Sequence, residues 1–257
     1  MLARLELELE TENHEFMPYE KAVILQSVLM KEIEADYAEK LHLSGIHPYS
    51  QSIINEKGKN IWSIYTTNEE AYQFMIKPLE RLEFKSFRIK NNSLEVMVKQ
   101  KELLQIEKDK FLERYYFENH NRYFVIRFRT PTAFKQQGSY IYYPDLQLIY
   151  QSLMNRYDAA DQRVIVFDSE VLDQLAAYSK IIQYRLQSTY YVLGKVKIPA
   201  FIGEITVKCS GPQVMVNFSN LLFHFGEFSG VGIKTAMGMG NISVAEKMVG
   251  KESIHDR

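Results

Sequence analysis

The chain predicts an α+β protein made of two ferredoxin-like (RRM-like) βαββαβ units in tandem. Two observations carry this. Stretches of period-two and helix-period hydrophobicity follow one another as β-α-β-β-α-β, and the same order then starts again. The opening strand of each unit also has the same phase. Leu5, Leu7 and Leu9 alternate with Glu6, Glu8 and Glu10, and Phe124, Ile126 and Phe128 alternate with Val125, Arg127 and Arg129. The repeat lies in element order and strand phase, not in residue identity.

The first unit spans residues 1–118. Residues 2–10 read as a strand with one buried face. Tyr19 to about Ala35 reads as one helix, with Leu25, Val28, Leu29 and Ile33 at helical spacing. Gly45 and Pro48 break any helix in the two-histidine segment that follows. Residues 50–54 and 60–66 form a strand pair turning at 56–59. Asn68 caps a helix to about Lys77. Residues 84–90 and 93–98 are strands, and the charged, tyrosine-rich stretch 101–121 marks the boundary.

The second unit spans residues 119–257. Tyr123–Arg129 is a strand that ends at Pro131. Residues 146–155 and 170–179 read as helices. Strands 181–198 and 203–209 join around Pro199 to Gly203. Residues 213–225 form a helix with Val214, Phe218, Leu221, Leu222 and Phe225 on one face. Residues 241–245 form the last strand.

Composition narrows the function. The 257 residues are 46% hydrophobic and 25% charged, in keeping with one large domain or two ordinary ones. No apolar run is long enough to span a membrane, so no membrane partner is expected. The lone Cys209 allows no internal disulfide, and a reducing cytoplasm fits best. A net charge of −1 gives no overall pull toward nucleic acid, although a local basic groove is compatible with it. No Asp, Glu or His cluster suggests a required metal, and no cofactor is expected.

Five of the twelve glycines fall between residues 226 and 240: Gly226, Gly230, Gly232, Gly238 and Gly240, with Lys234 and Thr235 among them. Exposed backbone N–H groups beside one lysine suit phosphate oxygens. A Walker A loop needs its lysine directly after a glycine and a helix behind it. Here Ile233 intervenes and the loop runs from helix to strand, so a nucleotide-binding enzyme is the weaker reading. A close-packing turn without ligand is the plain alternative. The third reading is a loop that faces RNA.

The run from Gly226 to Gly240, between the last helix and the last strand, resembles the C-terminal signature of CRISPR repeat-processing endoribonucleases of the repeat-associated RNA-binding superfamily. The resemblance extends over the chain, through the tandem order and the Leu41-His42 segment. It implies metal-independent cleavage of precursor transcripts within the repeat, by attack of the nucleotide's own 2′-hydroxyl. The products are a 2′,3′-cyclic phosphate or 3′-phosphate and a 5′-hydroxyl. CRISPR repeat RNA is then the partner, and an effector complex that receives the guide RNA and a homodimer stay open. A catalytically silent guide-RNA-binding subunit is the alternative.

Such a reaction needs a base on the 2′-hydroxyl, an acid on the 5′-oxygen and a cation near the phosphorane. Histidine suits the first two roles. The resemblance places His42 first, with His47 as cation or second acid/base. Some relatives carry a tyrosine late in the first helix. Here Met30 or Lys31 stands there, and Tyr37 is a loose substitute. Lys31, Lys57 and Lys59 are the nearby cations, with no choice among them. For RNA binding the candidates are Gly230, Gly232, Lys234, Thr235, Gly238 and Gly240 of the loop. Arg127 and Arg129 on one strand face, and Lys195 and Lys197 on another, join them. Lys135 lies just past the first of these strands, with Tyr190 and Tyr191 near the second. His14, His120, His224 and His255 are expected to be structural or solvated.

Overall fold

The computed structural model describes residues 1–89, 94–161 and 165–246. The first half holds β1 (Leu2–Thr11), β2 (Tyr49–Glu56), β3 (Lys59–Thr66), β4 (Ser86–Ile89) and β5 (Leu94–Ile106) in one antiparallel sheet, ordered β2-β3-β1-β5-β4. The second half holds β6 (Tyr123–Thr132), a hairpin of β7 (Phe134–Gln136) and β8 (Ser139–Ile141), then β9 (Ser179–Leu193), β10 (Val196–Cys209) and β11 (Ile242–Glu246). Its main sheet is ordered β11-β6-β10-β9. Leaving aside the edge strand β4, both sheets place the first strand between the last and the third, with the second at the outside. The fold is tandem ferredoxin-like.

Helices cover one face of each sheet. They are α1 (Ala22–Glu32), α2 (Ala35–Leu43), the run α3 (Glu69–Ala71, Tyr72–Ile76 and Lys77–Glu80), α4 (Lys108–Leu112, continued by a π turn over Glu113–Phe117), α5 (Leu146–Ala160), α6 (Ser169–Tyr178) and α7 (Gln213–Ser229). The alternation read in β1 and β6 is what fills the cores. Leu5, Leu7 and Leu9 are buried with Leu25 and Leu29 of α1 and Trp62 of β3. Phe124, Ile126 and Phe128 are buried with Leu153 of α5 and Phe223 of α7. Each such side chain contributes about 1.5–3 kcal/mol by leaving water. Asn68 caps α3 as expected, its Oδ1 accepting from the Ala71 N–H at 2.8 Å. Among the described residues no helix is long and apolar enough to cross a membrane.

Four boundaries differ from the sequence reading. The helix expected over 19–35 is a 3-10 turn at Tyr19–Lys21 followed by α1 and α2, with Ile33 extended between them (φ −95°, ψ 157°). His42 is therefore in the last turn of a helix and not in a loop. Residues 101–121 do not form a bare linker: β5 runs to Ile106, and α4 packs its Phe111 into the core of the second half. The β9–β10 turn falls at Gly194-Lys195 and not at Pro199 to Gly203. Pro199 is tolerated because β6 pairs with β10 only from Phe201 onward, so no β6 acceptor awaits its missing N–H. The strand at Tyr123 continues through Thr132 and leads into the β7–β8 hairpin.

The two halves are sewn together along β2. Gln51 donates through Nε2 to the carbonyls of Ala22 and Ala236, both at 2.9 Å, and its Oε1 accepts from Trp62 Nε1 at 2.7 Å. Ser50 Oγ donates to the Phe228 carbonyl at 2.7 Å. The glycine-rich stretch therefore lies on the seam between the units.

Candidate active site

The glycine loop begins later than its composition suggested, because α7 runs through Gly226 to Ser229. Gly230, Gly232, Lys234, Gly238 and Gly240 all have positive φ. Close packing explains two of the glycines directly. A Cβ on Gly232 would lie 2.3 Å from the Ala133 carbonyl oxygen, and one on Gly238 would lie 2.3 Å from Ala22 Cβ in α1. Most of the loop's N–H groups are spent inside the protein. Val231 donates to Gly240, Ile233 to Ala133, Met239 to Lys234 and Gly240 to Pro131, while Gly232 donates to Ser152 Oγ. Among the described residues the N–H groups of Lys234, Thr235 and Ala236 have no protein acceptor. They open the 3-10 turn Thr235–Met237. The expected phosphate cradle is thus much shorter than the glycine run, and the packing reading accounts for the rest. The Thr235 side chain is buried. It is 3% exposed, with its methyl group against the Gly230 backbone.

A cleft of about 580 Å³ opens beside this loop at the seam. The first half supplies Gln26 and the Gly45-Ile46-His47 turn. The second supplies Lys135, Tyr140, Arg156 and residues 232–237. His47 is half-buried, and its Nδ1 is 3.3 Å from Ser44 Oγ. Burial, and then the positive charges of Arg156, His42 and Lys234, hold its pKa below the usual histidine value. His42 is exposed at the end of α2 and outside the lining of the cleft, so of the two histidines His47 is the one the fold places in it. The exposed Lys234 stands in a left-handed conformation (φ 57°, ψ 31°) at the cleft wall.

Arg156 was not singled out in the sequence, and it fixes this wall. Its Nη2 donates to the Gly232 carbonyl at 2.8 Å and its Nη1 to that of Ser229 at 3.3 Å. Ser152, one helical turn earlier on α5, accepts from the Gly232 N–H at 2.9 Å. The two side chains thus hold Gly232 by both its backbone groups. Burial lowers the Arg156 pKa to about 10, which leaves it charged at neutral pH. Arg156, Lys135 and Lys234 are the cations of the cleft. Lys31, Lys57 and Lys59 do not line it, and Lys59 is paired with Glu8 at 2.7 Å. Tyr37 is no substitute for a site tyrosine. It is buried with its ring stacked 4.6 Å from Phe74, and burial pushes its hydroxyl pKa up.

The remaining basic candidates lie elsewhere. Arg127 is ion-paired with Glu204 at 3.1 Å, and Arg129 with Glu56 across the two halves. Both line a second cavity of about 590 Å³ together with Arg185. Lys195 sits in the β9–β10 turn and Lys197 opposite Val192, so they mark a hairpin tip and do not share a strand face with the loop. Tyr190 is exposed, whereas Tyr191 is buried and donates to the Met237 carbonyl. His14 is exposed beside Glu10, and His224 is buried against Tyr115 with Nδ1 2.8 Å from Glu227. His255 lies outside the described residues.

The sequence model for the CRISPR-associated endoribonuclease Cas6 matches residues 126–242. A CRISPR-associated endoribonuclease Cas6 of Streptococcus thermophilus is 34% identical over 226 residues, covering 88% of this chain and 92% of that protein. The chain belongs to the Cas6 family. A Cas6 of Mycobacterium tuberculosis is also 34% identical, over 95% of this chain and 78% of its own length. Among solved structures, a Cas6 product complex superposes with a TM-score of 0.77 at 20% identity, covering 95% of this chain and 99% of its own. Thermus thermophilus Cas6 does so with a TM-score of 0.68 at 22% identity, over 95% and 98% of the two chains. The matched Cas6 region holds β6, α5, α7 and the glycine loop.

Proposed function

We propose that this chain cuts CRISPR precursor transcripts within the repeat, at the seam cleft, without a metal. One observation carries the reading: the half-buried His47 of the first unit meets the cations Lys234 and Arg156 of the second across a single cleft. Attack of a ribose 2′-hydroxyl on its own phosphate forms the 2′,3′-cyclic phosphate and expels the 5′-oxygen of the next nucleotide. Someone must take the 2′-proton, and something must return one to the leaving oxygen. His47, kept neutral by burial and positive neighbours, is the proton acceptor. His42, exposed at the adjoining helix end, is the proton donor from the solvent side. Lys234 and the free N–H groups at Lys234, Thr235 and Ala236 stabilise the phosphorane oxygens.

In the same reading, residues 1–118 deliver the histidines and 119–257 the phosphate wall. Gly230, Gly232, Gly238 and Gly240 shape that wall. Arg127 and Arg129 exchange Glu204 and Glu56 for RNA phosphates, and Lys195 and Lys197 reach the backbone farther out. The protein works in the cytoplasm and passes its guide RNA to an effector complex. Assembly as a homodimer is compatible with this.

The test is to mix purified protein with repeat RNA in EDTA. A single cut that leaves a cyclic phosphate is expected. RNA retained uncut would instead support a silent guide-RNA-binding subunit.

A further inference from the structure

The β7–β8 hairpin was absent from the sequence reading, and the cleavage chemistry above does not use it. Its turn has Gln137 and Gly138 at φ 48° and 84°, the left-handed pair of a tight primed turn. Pairing sets Phe134 opposite Ile141 and Lys135 opposite Tyr140. The first pair packs into the core of the second half and anchors the hairpin. The second pair is on the other face and lines the same cleft as His47 and Lys234. Lys135 Nζ is 5.9 Å from the Tyr140 ring centroid. The hairpin root is also tied to the glycine loop, because the Ala133 carbonyl accepts from the Ile233 N–H at 3.0 Å. Tyr140, like Ile233, packs against the small buried cluster of Ala133, Tyr191 and Met239, which holds its ring in place.

A held aromatic ring beside an exposed ammonium group, inside a cleft, recognises an unpaired base together with its phosphate. Within a duplex both faces of a base are covered by its stacked neighbours, whereas an unpaired base can turn a face to the ring. We infer that Tyr140 and Lys135 bind one unpaired nucleotide next to the cut, the base stacked on Tyr140 and the phosphate held by Lys135. The cleft thereby selects RNA that is single-stranded at that position. This deepens the proposed function and rests on it.

The experiment scans repeat RNA with 2-aminopurine at each position in turn and reads fluorescence quenching on binding, so the signal does not depend on cleavage. The wild-type protein quenches one position next to the mapped cut. Tyr140→Ala removes that quench and weakens binding roughly 5- to 150-fold, the range for loss of one base–aromatic stack. Tyr140→Phe restores the quench. Lys135→Ala, at an exposed site where misfolding is not expected, lowers the slope of log affinity against log salt by about 0.7. Quenching that survives in Tyr140→Ala, or an unchanged salt slope in Lys135→Ala, overturns the inference. Bound RNA that is quenched but never cut would instead contradict the cleavage reading and leave the stacking contact standing.

Discussion

His47 sits between a partly buried wall and three positive neighbours, and each of these disfavours its charged form. The sign has a direct consequence. A lowered pKa means that the folded protein binds this proton more weakly than the free side chain does. A reaction that needs neutral His47 therefore holds as pH falls through 6.5 and declines only below it. Following the His47 ring signal by NMR should give a midpoint under 6.5. In Lys234→Ala that midpoint should rise, since one positive neighbour is gone, and affinity for repeat RNA should fall. A midpoint that does not move would remove Lys234 from the electrostatics of the site. His42→Ala and His47→Ala should each lower single-turnover cleavage by about 10²–10⁴-fold while repeat RNA still binds. Turnover near wild type in either variant would strike that histidine from the mechanism.

At the level of elements, the glycine loop acts as a seam between the two units. Gly238→Ala would bring a methyl group to 2.3 Å from Ala22 Cβ at φ 99°, so α1 or the loop must shift. The expected cost is about 1–3 kcal/mol, read as a lower midpoint in urea unfolding; an unchanged midpoint would show that the contact yields freely. Much of this level was legible in the sequence. The alternation in β1 and β6, the Asn68 cap and the final helix-loop-strand order all have local causes. The α1–α2 break was not, because helical spacing continues through Ile33 with no Gly or Pro to mark the stop. The β9–β10 turn was misplaced because Pro199 and Gly203 look like turn residues. Gly203 in fact sits within β10, where a Cβ would lie 2.1 Å from the Arg185 carbonyl oxygen. Arg156 and Tyr140 gave no signal either. Arg156 gains its place through carbonyls 73 and 76 positions away, and Tyr140 through a hairpin joined to the loop.

Across the whole molecule, neither unit holds the cleft alone. The first brings His47 and the second brings Lys234, Arg156, Lys135 and Tyr140. Gln51 bridges them through Ala22, Trp62 and Ala236, so the separation of His47 from the loop that carries Lys234 is set by packing along β2. Such pre-set geometry lets a cleft act on a phosphate through positioned side chains and backbone N–H groups. Repeat RNA carrying a single 2′-deoxy nucleotide, on the 5′ side of the mapped cut, tests this most directly. The substituted RNA should bind as tightly as the natural one and stay uncut in a single-turnover assay. Cleavage of that RNA at the same position would contradict attack by the 2′-hydroxyl.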